Sequence, residues 1–116
     1  MAGLSTSQFE NPEETYALDK CRGERVKVGG ISVWRNIFEP GWHYTEHVEP
    51  HVCQANHAGY IAAGRLGIRG SDGTEAVAGP GTVVVIAPGH DAWTVGEEPC
   101  VLIDFAESIS GLDVEN

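Results

Sequence analysis

Hydrophobic and polar positions alternate in short bursts along most of this chain, and glycine, proline or an acidic turn residue closes each burst. Arg25-Val26-Lys27-Val28 has the two-residue period of a half-buried strand, Gly29-Gly30 interrupts it, and Ile31 to Phe38 resumes it. Pro40-Gly41 marks a turn. A third strand is expected from Trp42 to Val48, stopping before Pro50, which has no amide proton to give a ladder. Cys53 to Ala63 is apolar enough for a buried strand, and Arg65 to Arg69 alternates again. Ser71-Asp72-Gly73-Thr74 is a tight-turn signal, because Asp-Gly readily adopts positive φ. Glu75 to Val77 comes next, then Val83, Val84, Val85 and Ile86 in a row. Trp93 to Val95 and Cys100 to Phe105 complete the set.

About eight to ten short strands at roughly 8–12-residue spacing predict a sandwich or small barrel. No stretch shows three turns of helical periodicity, so the chain reads as all-β. Residues 1–24 read as a polar, partly extended arm, 25–105 as the folded domain and 106–116 as an acidic tail.

Composition agrees. The 116 residues are enough for one domain, and fifteen glycines with six prolines argue against a helical bundle. Seven basic against seventeen acidic residues give a net charge of -10. That surface repels phosphate backbones and anionic lipids, so neither nucleic acid nor membrane is an expected partner. No run approaches the ~18 apolar residues of a membrane span. Residues 1–14 lack the basic start and apolar core of a secretory leader. Cys21, Cys53 and Cys100 show no CxxC spacing, which suits a reducing cytoplasm.

The chemistry concentrates in the histidines. His43, His47, His51 and His57 fall within fifteen positions, and His90 sits in the turn Pro88-Gly89-His90-Asp91. His43, His47, Glu49, His51 and His57 are all odd-numbered, so one continuous strand would present them on one face, although Pro50 interrupts that continuity. The spacing of four also fits a helical face, against which Gly41, Pro50 and the β-branched and aromatic residues argue. A lone histidine is ordinarily satisfied by one hydrogen bond, whereas several neutral imidazoles on an apolar face need partners that a metal supplies. Cys53 reads mainly as a small buried apolar group, with a soft ligand or reactive thiol as the lesser role.

Gly41, five residues, His47, one residue, Glu49, then His57, six residues and Gly64 resembles the first motif of the cupin superfamily. That motif runs glycine, five residues, His-x-His, a short gap, glutamate, six residues, glycine. His47 matches its first histidine, and His57 stands where the family has its glutamate ligand. Gly81 to Trp93 is similar to the second motif in its glycine, its apolar strand and its Pro-Gly turn. Glu49 occupies the second histidine position. Ala92 occupies that of the last histidine, and His90 two residues earlier substitutes for it. The resemblance spans residues 25–105 and implies a double-stranded β-helix, or jelly-roll barrel, with ligands inside one end and an open mouth for substrate.

It also implies one divalent transition metal (Fe, Mn, Ni, Cu or Zn). The preferred ligands are His47, His57 and His90, with Glu49 or His51 as a candidate fourth. Three neutral imidazoles on a dication leave a positive centre, which favours an anionic or enolisable small molecule. Trp34, Tyr60 and Trp93 are candidates for the substrate pocket, although strict alternation from His57 turns Tyr60 to the other face. The expected function is a small metal-dependent enzyme of isomerase, lyase or dioxygenase type acting on a small organic acid or carbonyl compound. The alternatives are a non-catalytic small-ligand or metal-binding sensor, and a barrel whose histidines are merely structural. Small cupins are commonly dimers, so a homodimer is expected, with the arm on a neighbour's edge strand or folded back on its own sheet.

Overall fold

The structure, a computed structural model, describes residues 3–110. It is all-β, and its strands lie in two antiparallel sheets. Strands β1 (Glu14–Leu18), β2 (Cys21–Val28) and β3 (Ile31–Phe38) form a meander. The β2–β3 loop is Gly29-Gly30 alone, with Val28 opposite Ile31. Both glycines take positive φ, 57° and 84°, as a two-residue turn matched to strand twist requires. A one-turn helix α1 (Tyr44–His47) comes next, and then β4 (His57–Ala63), β5 (Arg65–Arg69) and β6 (Glu75–Ala78). Strands β7 (Val83–Ile86), β8 (Asp91–Val95) and β9 (Cys100–Asp104) lead to a 3₁₀ turn at Ala106–Ser108.

The larger sheet has the order β1-β2-β3-β9-β4-β7 and the smaller β6-β5-β8. Phe38, Ile61, Leu66, Ile86, Cys100 and Leu102 are among the residues that fill the space between them. Val26, Val33 and Ile103 form a second cluster on the other face of the large sheet, against Phe9 and Phe105. Among the described residues no strand ladder joins the two sheets into a closed barrel, and no helix is long and apolar enough to cross a membrane.

Four boundaries differ from the sequence reading. Strand structure begins at Glu14, inside the expected arm, because Tyr16 packs over Gly23, where a Cβ would meet its ring. The phenol of Tyr16 donates to Asn36 Oδ1 at 2.7 Å, which fixes β1 on the sheet. The expected strand from Trp42 to Val48 is instead a turn and helix α1, enclosed between Gly41 at φ 86° and Pro50. The expected strand from Cys53 to Ala63 begins only at His57; Cys53 itself makes an isolated bridge to His90. The start of the acidic tail is tied down, since Ser108 Oγ donates to the Ser32 carbonyl at 2.8 Å. Residues 111–116 of that tail lie outside the described residues.

Candidate metal centre

Three separate segments meet at one point between the sheets. His57 opens β4 on its inner face, two positions before Gly59, which lies opposite Asp104 of β9. Gly59 has to be glycine here, because a Cβ would overlap the Ile103 carbonyl. This close approach lets the Asp104 carboxylate reach His57. His57 Nδ1 donates to Asp104 Oδ2 at 2.7 Å. Asp104 Oδ1 also accepts the amides of Ala58 at 3.3 Å and Ala106 at 2.9 Å, which fixes the carboxyl group in place.

His90 stands in the turn before β8 and is only 3% exposed. Its Nδ1 donates to the Ala87 carbonyl at 2.7 Å, which directs the Nε2 lone pair away from the turn. The Cys53 amide donates to the His90 carbonyl at 2.8 Å, and the Gly89 amide donates to the Cys53 carbonyl at 2.7 Å. Cys53 is thereby zipped to the histidine turn although its own segment forms no strand. One ligand-type atom from each of Cys53, His57 and His90 lies within 4.8 Å of the other two. Cys53 Sγ is 3.7 Å from His57 Nε2. A tetrahedral site with metal–sulfur near 2.3 Å and metal–nitrogen near 2.1 Å sets S and N about 3.6 Å apart, so the spacing fits. Both Nδ1 atoms are held by oxygen acceptors, the arrangement that orients metal-ligating histidines.

Burial alone would raise the Cys53 thiol, but the hydrogen bond with His57 and the polar contact with His90 outweigh it and bring the thiol down to about 5. Burial would lower His57, but the Asp104 hydrogen bond and the Cys53 contact push it up to about 9. The pair therefore shares one proton as thiolate and imidazolium, and a cation would take that proton's place. Cys21 and Cys100 are raised by burial instead, Cys100 to about 11. All three cysteines are unpaired.

The centre opens on a cavity of about 250 Å³. Phe38, Trp42, Leu66, Ile86, Ala92 and Leu102 supply apolar wall, and Trp42 stacks on Phe38 with ring centroids 4.1 Å apart. Tyr16, Asn36 and Tyr44 also line it. Burial raises the Tyr16 phenol far above its ordinary range, so it remains neutral.

The structure brings together His57 and His90 and leaves the other expected ligands outside. His47 lies on α1, with Nδ1 3.0 Å from the His43 amide and Nε2 4.0 Å from Asp19. Helix α1 replaces the continuous strand that would have aligned these histidines. Glu49 is exposed, reached at 3.5 Å by the Tyr44 hydroxyl, and His51 is exposed on the loop after Pro50. The expected pocket aromatics do not line the cavity. Trp34 packs against Tyr16, Trp93 covers Gly67 and His43, and Tyr60 is exposed on the outer face, as strand alternation required. Cys53 takes the place of His47. Asp104 was missed by sequence reasoning; its signal was a lone acid closing the apolar run Cys100-Val101-Leu102-Ile103. A second carboxylate–imidazole pair, Asp91 Oδ2 with His43 Nε2 at 2.7 Å, holds α1 against β8.

No protein-family profile matches the chain, and no curated protein does. Several solved structures share its fold. A DUF1255 protein of unknown function from an Acinetobacter species aligns with TM-score 0.57 at 12% identity, over 74% of this chain and 80% of that one. A protein of unknown function from Vibrio parahaemolyticus also aligns with TM-score 0.57 at 12% identity, over 88% and 96%. The capsular polysaccharide assembling protein CapF from Staphylococcus aureus aligns with TM-score 0.57 at 18% identity, over 84% of this chain and 28% of its own. At such identities the likeness is one of fold alone.

Proposed function

We propose that this chain is a metal-binding protein of cupin type, a small metal-dependent enzyme acting on a small carbonyl compound or organic acid. The observation that carries the reading is the convergence of Cys53 Sγ with two Nδ1-anchored histidines at the wall of an apolar cavity. Three protein ligands leave one coordination position for water or substrate, the pattern of catalytic rather than structural sites. A thiolate with two imidazoles suits Zn, Cu or Fe better than the harder Mn. When bound, such a metal supplies Lewis acidity towards a substrate oxygen. Cys53, His57 and His90 would hold it, Asp104 would orient His57, and the apolar wall would exclude bulk water. The two facing antiparallel sheets support a cupin-type double-stranded β-helix, and three unpaired cysteines support a reducing cytoplasm. A sensor or carrier without turnover is the second reading, distinguished by a fourth protein ligand closing the shell.

Elemental analysis of the purified protein tests the proposal. About one transition metal per chain is expected, with occupancy at least tenfold lower in Cys53→Ala, His57→Ala and His90→Ala. His47→Ala should keep its metal. Metal lost from His47→Ala but retained by Cys53→Ala would overturn the ligand set.

A further inference from the structure

The cavity beside the centre has a chemical character of its own. Among the described residues no lysine, arginine, aspartate or glutamate lines it. Apart from Cys53, His57 and His90, the residues lining it carry as polar groups the neutral Tyr16 phenol, which already donates to Asn36, the Asn36 amide, the Tyr44 phenol, the Cys21 thiol and the Trp42 indole N–H, a buried donor with no hydrogen-bond partner among the described residues. Asp104 holds His57 by Nδ1, on the side of the imidazole away from the cavity, so its carboxyl group does not line the space. A carboxylate entering this space would be stripped of water with no cationic side chain to receive it, a cost that burial in an apolar site does not return.

We propose that the ligand of this site is an uncharged molecule with an apolar body and a single polar atom, such as a ketone or aldehyde oxygen, presented to Cys53, His57 and His90. This rests on the reading of those three residues as the metal centre. A cavity of about 150 Å³ takes up benzene, so a space of about 250 Å³ suits a molecule of about ten non-hydrogen atoms. A planar aromatic or alicyclic body matches the wall made by Phe38, Trp42, Ile86 and Leu102.

Acetophenone and benzoate have the same size and shape and differ in charge, so they separate the alternatives. Calorimetric titration of the zinc-loaded protein at pH 7.5 should show acetophenone binding at least tenfold more tightly than benzoate. Val48→Trp, which fills the cavity from its half-buried loop, should weaken acetophenone at least tenfold with zinc content unchanged. Ala92→Leu, which fills it from β8, is the second variant should the first fail to fold. Benzoate binding as tightly as acetophenone or more so overturns the proposal, as does a failure of both probes to bind at millimolar concentration. Zinc content is measured on the same samples. A protein that takes up no zinc defeats the metal reading, whereas a loaded protein that prefers benzoate defeats only the ligand class.

Discussion

At the residue scale the centre depends on Asp104, which is not one of the three converging residues yet decides which nitrogen of His57 faces the cavity. Removing such an orienting carboxylate typically costs 10–100-fold in metal affinity. Asp104→Asn should therefore weaken zinc binding by about that factor, read by competition with a chromophoric chelator, while circular dichroism stays native. The proton shared by Cys53 and His57 gives the metal-free protein a pH signature. His57, raised to about 9, adds stability that is complete below its ordinary 6.5 and is lost as pH rises through 9. Cys53, lowered to about 5, adds stability that is complete above 9 and is lost as pH falls through 5. Between 6.5 and 9 the two slopes cancel. Their sum is level there and falls as pH drops from 6.5 to 5. Urea unfolding midpoints across this range should trace that plateau and fall, and Cys53→Ala should abolish the acid-side decline attributable to the pair.

At the element scale the site is made by close pairing of β4 with β9 and by the loop that carries Cys53 onto the His90 turn. Gly59→Ala would drive a methyl group into the Ile103 backbone between those strands. Overpacking of this kind costs about 1–3 kcal/mol, and here the obstructing atoms are main chain that cannot rotate aside. The variant should unfold at lower denaturant than wild type and bind less zinc, since the same shift separates Asp104 from His57. Strand periodicity made β2, β3, β5, β7 and β9 legible, because each has an alternating or continuous apolar run bounded by glycine, proline or acidic residues. Helix α1 was not legible. Its four residues are too few to show a period, and Tyr44 and Thr45 favour strands, while the nearby turn at Gly41 and Pro50 enclose a single helical turn.

At the scale of the whole molecule, the large sheet ends at β7, whose outer edge has no strand partner among the described residues. Val83 is 75% exposed, and Val85, Tyr60 and Ile109 extend the same uncharged surface. Open apolar edges invite pairing, and a chain carrying a net charge of -10 can meet its own copy closely only where charge is missing. A homodimer is accordingly expected, built on β7. Light scattering at micromolar concentration should return twice the 12.4 kDa chain mass, and Val83→Lys should return the monomer with zinc content intact. A monomeric wild type would leave this edge without its expected partner.

The all-β class followed from the sequence alone, because a two-residue apolar period and its turn residues are local properties that no distant contact has to supply. The same holds for His57 and His90 as candidates, since clustered imidazoles beside apolar runs are visible in one dimension. Which third residue joins them was decided only by tertiary structure. Helix α1 carries His47 away, a two-amide zipper brings Cys53 to His90, and Asp104 arrives from a strand 47 positions beyond His57. Ligand geometry depends on distances between segments far apart in the chain, and those distances are set by sheet order and register rather than by spacing along it.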